Sequence, residues 1–328
     1  MATASLVPRN KQKVHKEMIT SLDVPYTGNS DFLYSSSRDK KIFQWKLSGN
    51  EQDKIGHLLK EFKGQSHHIC GVKSNKTNEK IVSVSADKTG RIYDLKTGEF
   101  VTLKSQKSDL TGIAINTDDN KIITSSYDGT IALWNTKGEL SKTLAVENPT
   151  NFPIMVLCCA FVPNSNLAVT GSSDGKLRIW DIDEGKVIRT FLNGHKIEYY
   201  AENELPLPEA SMITAVTISA DGSFLAYGGR DSKCYVIRLN EDIQLLSFET
   251  ETPICSIAFS ITETIIAVST KTSIICWNIV DDEMVLQLEN EEPKVNCTSL
   301  IWSKNALVTG WLNGEIKVFD FVRSASKE

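Results

Sequence analysis

Along almost the whole chain apolar and polar positions alternate, or apolar residues run in fours to sixes, and Gly, Asp, Asn and Ser bound the runs. The stretch KIVSVSADKTGRIYDL, Lys80 to Leu95, shows the pattern: two alternating runs interrupted by Asp-Lys. A period of two broken by turn residues reads as strand, turn, strand. No segment carries a 3.6-residue apolar period over ten residues, so the pattern predicts strands throughout.

The unit repeats. An Asp followed six positions later by an aromatic residue occurs as Asp39/Trp45, Asp87/Tyr93, Asp128/Trp134 and Asp174/Trp180. Weaker copies in the same frame are Asp231/Ile237, Lys271/Trp277 and Asn313/Phe319. The anchors at 45, 93, 134, 180, 237, 277 and 319 lie 48, 41, 46, 57, 40 and 42 residues apart, near the 40 to 45 residues of a four-stranded propeller blade. Each Asp-Gly or Asp-Lys pair is expected to make a two-residue hairpin turn, because such turns need positive φ. Seven short sheets set radially protect most of their own edges. The prediction is an all-β, seven-bladed β-propeller forming one domain over residues 1–328. Residues 1–14 are expected to close the ring as the outer strand of the last blade, beside Lys317 to Phe321. The one long gap is assigned to a loop over 195–212, inserted before blade five.

Tyr93-Asp94, Trp134-Asn135, Trp180-Asp181, Trp277-Asn278 and Phe319-Asp320 resemble the Trp-Asp pairs of WD repeats. The resemblance implies a buried hydrogen-bonded set in each blade: a His before the first strand, a Ser in the second, the turn Asp and the Trp. Blade one supplies His15, Ser37, Asp39 and Trp45, whereas Gln65 and Gln106 stand where later blades would carry His. Asp87, Asp128, Trp134, Asp174 and Trp180 take the corresponding structural roles. Losing one partner from such a set costs about 1–3 kcal/mol, so these residues are read as structural rather than catalytic.

Charge sharpens the picture. The net charge is −5, yet residues 1 to 107 hold 19 Lys/Arg against 11 Asp/Glu, and the remainder 17 against 30. With a Debye length of about 8 Å at physiological salt, a polyanion responds to the nearest patch and not to the total. The seven cysteines include no C-x-x-C pair and sit mostly in apolar runs; they are expected to be reduced core residues. No apolar run approaches the ~18 residues of a membrane helix, and the start lacks the apolar stretch of a signal peptide. A cytoplasmic protein that engages neither membrane nor DNA is expected. No phosphate-binding Gly-rich loop, G-x-S-x-G or H-E-x-x-H occurs, so neither enzymatic activity, a cofactor nor a metal is expected.

In a propeller of this type the turn between second and third strands shares a face with the connection between blades. Basic residues fall there in the opening blades: Arg38, Lys40 and Lys41 at the turn of blade one, Lys60 and Lys63 at its exit, Lys11, Lys13 and Lys16 at its entry, and Lys88 with Arg91 at the turn of blade two. Such a rim would neutralise phosphates and read the backbone and shape of folded RNA. The segments SSSRDKKIFQWKL, IALWNTKG, ITAVTISADGSFLAYGGRDS and CTSLIW resemble the receptor for activated C kinase family, scaffolds that are also small-ribosomal-subunit proteins. The resemblance implies ribosomal RNA contacts through Arg38, Lys40, Lys60 and Lys63. It also implies ribosome association beside other small-subunit proteins, with protein kinase C and translation factors as further partners. Leu246 stands where animal relatives carry a signalling tyrosine. The alternative is a purely protein-binding adaptor, G-protein β-like or serving a ubiquitin ligase.

Overall fold

A computed structural model of the chain describes residues 4–25, 31–47, 55–147, 153–192, 195–196, 212–290 and 295–323. All regular structure among them is β. Each blade runs from an innermost strand a to an outermost strand d. Blade one is β2 (Ile19–Asp23), β3 (Phe32–Ser37), β4 (Ile42–Leu47) and β5 (Gly56–Phe62). Blade two is β6 (Ile69–Ser74), β7 (Lys80–Ser85), β8 (Gly90–Asp94) and β9 (Phe100–Leu103). Blades three to six repeat the order, with inner strands β10 (Leu110–Ile115), β14 (Val156–Phe161), β19 (Ile213–Ile218) and β23 (Ile254–Phe259). Blade four gains a short fifth strand, His195–Lys196; apart from this pair and Met212, the expected insertion 195–212 lies outside the described residues.

Blade seven joins the two ends of the chain. Its inner strands β27 (Cys297–Ser303), β28 (Ala306–Trp311) and β29 (Glu315–Arg323) are completed by β1 (Ala4–Lys13), antiparallel to β29 from Ala4↔Arg323 to Lys13↔Glu315. The register shifts between Pro8 and Asn10; a proline lacks the N–H a central strand needs, and an outermost strand tolerates it. Arg9 forms an ion pair with Asp320 across the seam. The chain then crosses to blade one, where Val14 and His15 each donate a backbone N–H to Gly314 O at 3.0 Å. Gly314 has φ 83° and a Cβ there would meet His15 O at 2.3 Å, so only glycine fits.

The second strand of every blade is buried almost throughout, whereas outer strands such as β9 are largely exposed. Blades stack on both faces of each sheet, which explains apolar runs where one-sided sheets would alternate. The core is accordingly divided among the blade interfaces. One cluster packs Leu33, Phe43 and Trp45 of blade one against Val308 and Ile316 of blade seven, and another packs Tyr34, Ile42 and Phe62 against Val72 and Tyr93 of blade two. Inner strands are also stitched across blades: Thr111, Thr214 and Thr298 hydroxyls donate to the carbonyls of Val156, Ile254 and Ile19 at 2.7, 2.9 and 2.6 Å. Every a–b pair carries a register shift at the same place, as at Ile19/Ser21 and Ile69/Gly71, a bulge that adds twist. All seven thiols are free and at least half-buried, and burial pushes the Cys70 and Cys276 thiols up to about 11 and about 12.

The buried polar set of blade one assembles with one change of member. His15 bonds Asp39 Oδ2 through Nδ1 and Ser35 Oγ through Nε2, both at 2.9 Å, and Trp45 Nε1 donates to Ser35 Oγ at 3.1 Å. The serine is thus Ser35, not Ser37. Ser37 and Ser35 share a face of β3, but Ser37 lies one step nearer the turn, where its Oγ accepts the Asp39 N–H at 3.1 Å. In blades two and three the amides of Gln65 and Gln106 replace imidazole: each accepts from Ser83 Oγ or Thr124 Oγ1, at 2.8 and 2.6 Å, while donating to a carbonyl. Trp134 and Trp180 donate to Thr124 and Thr170 at 3.1 and 2.9 Å. Blade four uses Arg178, which grips Asp174 Oδ2 at 2.5 Å and Ser172 Oγ at 2.7 Å.

The b–c turns also differ from the two-residue hairpin expected. Ser37 N–H bonds Lys41 O and Lys40 N–H bonds Ser37 O, so three residues form the loop, and only the last adopts positive φ. This is a type I turn closed by a left-handed residue. The Asp contributes its carboxylate instead: Asp39, Asp87 and Asp128 each accept the N–H two residues on and, with the other oxygen, the N–H of Lys16, Ser66 or Lys107 at the entry to the same blade's innermost strand.

Burial alone would raise the Asp39, Asp128 and Asp174 carboxyls, but hydrogen bonds from His15, Thr130 and Arg178 hold them below the ordinary value. Asp231 of blade five, bonded to Lys233 N–H and the Tyr235 hydroxyl, is raised by burial. Asp39→Asn should therefore destabilise the protein by about 1–3 kcal/mol at pH 7, and the loss should shrink as pH falls through the lowered folded pKa of Asp39. Asp231→Asn should be neutral or stabilising at pH 7, its advantage vanishing as pH falls through the raised pKa. Urea unfolding of both variants between pH 7 and 3 measures the two trends, and equal losses at neutral pH would contradict them.

Candidate nucleic-acid interface

Because the turn aspartates face inward, the residues beside them face out. Arg38 and Lys40 are exposed on either side of Asp39, and Lys16 is exposed at the entry to β2 with its N–H on Asp39. Lys88 is exposed at the equivalent turn of blade two. Lys13 ends β1 on the same face, and Lys11 lies two residues further along the outer edge, opposite Lys317. Lys63 sits at the exit of β5, its side chain 74% exposed and its ammonium 3.5 Å from Glu61. Lys41 also reaches Glu61, at 3.0 Å, so it is half-buried and part of its charge is spent inside the protein.

Two residues expected on the rim leave it. Lys60 stands opposite Gln44, just beyond the register shift between Gln44 and Trp45, and its ammonium runs over Phe62 to Leu95 O at 3.4 Å, beside Gly98. It therefore addresses the c–d turn of blade two, at the opposite end of the sheet. Arg91 folds into the groove between blades, its guanidinium against Gly64 and 4.3 Å from the Phe100 ring centroid.

The backbone holds the remaining cations firmly. Arg38 N–H donates to Met18 O at 3.0 Å, and His68 Nδ1 bonds Arg38 O at 2.9 Å, which ties the turn of blade one to the entry of blade two. Lys40 and Lys88 have φ of 68° and 67°, where blade five carries Ser232 at 60° and blades three, four and seven carry Gly129, Gly175 and Gly314. A side chain in this left-handed region costs on the order of 1 kcal/mol. Two lysines thus occupy positions that glycine would fill with less strain, and strain of this kind points to function.

Aromatic groups gather on this face, which the sequence alone did not indicate. The first turn residue is anchored alike in six blades: Arg38, Ala86, Tyr127, Ser173, Arg230 and Leu312 donate their N–H groups to the residue preceding strand a or its near neighbour, at 2.9–3.1 Å. In blade six Lys271 N–H bonds Thr252 Oγ1 at 3.1 Å. These seven positions ring the mouth of the propeller's axis, and they hold three cations, one aromatic residue and no acid. Tyr127 is 44% exposed. Burial raises its phenol, Cys70 and Asp109 add to the effect, and Arg38 and Arg230 oppose it, so guanidinium groups from blades one and five both act on this ring. His67 and His68, ring centroids 4.3 Å apart, stand next to Arg38.

Comparison with known proteins follows this geometry. WD-repeat (G-beta repeat) models match residues 7–46, 56–94 and 99–135, covering blades one to three and their closing strand. A β-propeller model described as the N-terminal domain of Nucleolar protein 10-like proteins matches residues 136–321. A guanine nucleotide-binding protein subunit beta-like protein of Encephalitozoon cuniculi is 31% identical over 99% of this chain and 100% of its own. The small ribosomal subunit proteins RACK1y of Oryza sativa and RACK1 of Neurospora crassa are each 28% identical, over 93% and 98% of this chain and 93% and 99% of theirs. With seven four-stranded blades in place and a relative matched end to end, the chain belongs to the WD-repeat β-propeller family of the guanine nucleotide-binding protein subunit beta-like proteins.

Proposed function

We propose that this propeller is a non-enzymatic scaffold that docks on the small ribosomal subunit by gripping ribosomal RNA phosphates with the b–c turn face of blades one and two. The observation that carries the reading is the pair of lysines, Lys40 and Lys88, held in left-handed turn positions on either side of the clamped Arg38 backbone. A lysine kept there against its own conformational preference presents charge at a fixed point. Arg38 adds a planar fork suited to two phosphate oxygens. Lys13, Lys16 and Lys63 extend the same face, while Lys11 reaches around its edge. Relatives that carry the name of small ribosomal subunit proteins support the same reading.

A cytoplasmic, ribosome-bound protein of this kind leaves the acidic blades for neighbouring small-subunit proteins, kinases and translation factors. Leu246, at the position of the signalling tyrosine of animal relatives, is only 5% exposed and packs in the core between blades five and six. Kinase docking in this protein would therefore use other residues.

Reversing both charges, Arg38→Glu with Lys40→Glu, should release the protein from small subunits on sucrose gradients, while stability shifts by no more than about 0.5 kcal/mol because the turn is exposed. Wild-type co-sedimentation of this variant would sink the reading in favour of a protein-only adaptor. Lys40→Gly separates charge from fold. It should stabilise the protein by up to about 1 kcal/mol through the relaxed turn, yet lower the slope of log K against log salt by nearly one unit. Unfolding and binding measured on the same preparation test both signs.

A further inference from the structure

The mouth of the propeller's axis lies beside the phosphate-gripping rim but differs from it in chemistry. It adds rings to charge: Tyr127 from the turn of blade three, with His67 and His68 from the entry of blade two. Around them stand Arg38, Arg230 and Lys271, exposed at equivalent positions of three different blades. A protein that carries −5 overall has placed no acid among the seven turn positions bordering this opening, although Asp109 at the entry of blade three also acts on Tyr127. Cations around a half-exposed phenol ring suit a nucleotide: the cations meet its phosphate, and the ring face accepts a base. A paired helix cannot use such a platform, because its bases are stacked on one another; an unpaired or bulged one can.

We propose that the axial mouth is a nucleotide-binding site, in which one unpaired base of the docked RNA stacks on Tyr127 while Arg38 and Arg230 hold its flanking phosphates. The inference rests on the RNA-docking reading and deepens it: the rim grips backbone regardless of sequence, and the mouth selects RNA with a base free to leave the stack. Arg38 belongs to both, which fixes the position of the extruded base relative to the gripped helix.

The test uses the full chain and two short hairpin RNAs, identical except that one carries a single bulged 2-aminopurine. The bulged hairpin should bind roughly tenfold tighter than the paired one, and its fluorescence should be quenched on binding. Tyr127→Ala should reduce its affinity to that of the paired hairpin without changing the salt slope, and Tyr127→Phe should keep the preference because the ring remains. Equal binding of the two hairpins by the wild-type protein, or a preference that survives Tyr127→Ala, would overturn the site while leaving the rim intact. Failure of both hairpins to bind, together with wild-type co-sedimentation of the Arg38/Lys40 reversal, would remove the rim and the mouth alike. Displacement of the bulged hairpin by poly-glutamate that is lost in Tyr127→Ala would overturn the proposal in favour of an acidic protein segment.

Discussion

The two oxygens of the turn aspartate hold two parts of the chain that are far apart in sequence. In blade one, Asp39 closes its own turn through Lys41 N–H and holds the entry of the blade through Lys16 N–H and His15. That double attachment fixes the b–c turn relative to the connection between blades, so everything displayed on this face inherits its rigidity. The same double attachment recurs at Asp87 and Asp128, where Gln65 and Gln106 bond Ser83, Thr124 and the Thr89 and Thr130 carbonyls in place of the imidazole. An amide that accepts from a hydroxyl and donates to a carbonyl does the work of a neutral imidazole. At Asp231, where the described residues supply no such partner, burial outweighs the hydrogen bonds from Lys233 N–H and the Tyr235 hydroxyl and the pKa rises.

A consequence for recognition follows from charge geometry. The carboxylates that organise the turns point inward and spend their oxygens on N–H groups, so the flanking Arg38, Lys40 and Lys88 are directed away from the acids adjacent to them in sequence. In the segment Arg38-Asp39-Lys40 the two cations are therefore displayed outward while the acid is turned into the protein. The opposite holds for Lys41, whose charge Glu61 partly absorbs, and Glu61 in turn is held below the ordinary carboxyl range by its hydrogen bond with Lys41.

The blade count, the order of strands and the ring closure were legible because turn residues and apolar runs recur at blade spacing. Finer features were legible only where they do not depend on register. Ser35 and Ser37 lie on the same face of β3, and which of them meets His15 is decided by where the blade-seven seam delivers that imidazole, a contact between residues 20 positions apart. Lys60 and Lys63 both precede the exit of blade one, but Lys60 lies within β5 opposite Gln44 and its side chain turns over Phe62 to Leu95 O at the opposite turn. The aromatic mouth was hidden for another reason. Tyr127 and Arg230 are more than one hundred residues apart, and nothing local to either announces that the ring brings them to one opening.

Closure through β1 has a temporal meaning. The ion pair between Arg9 and Asp320 joins residues 311 positions apart, so at synthesis rates of about 5–20 residues per second the first strand waits roughly 15 to 60 s for its partner. During that interval β1 is an unpaired strand, and Val14 and His15 lack the Gly314 carbonyl that orients them. The turn face built across this junction is therefore complete only once β29 has been made. Nascent or truncated copies would thus lack the assembled face, a form of quality control that requires no separate checkpoint.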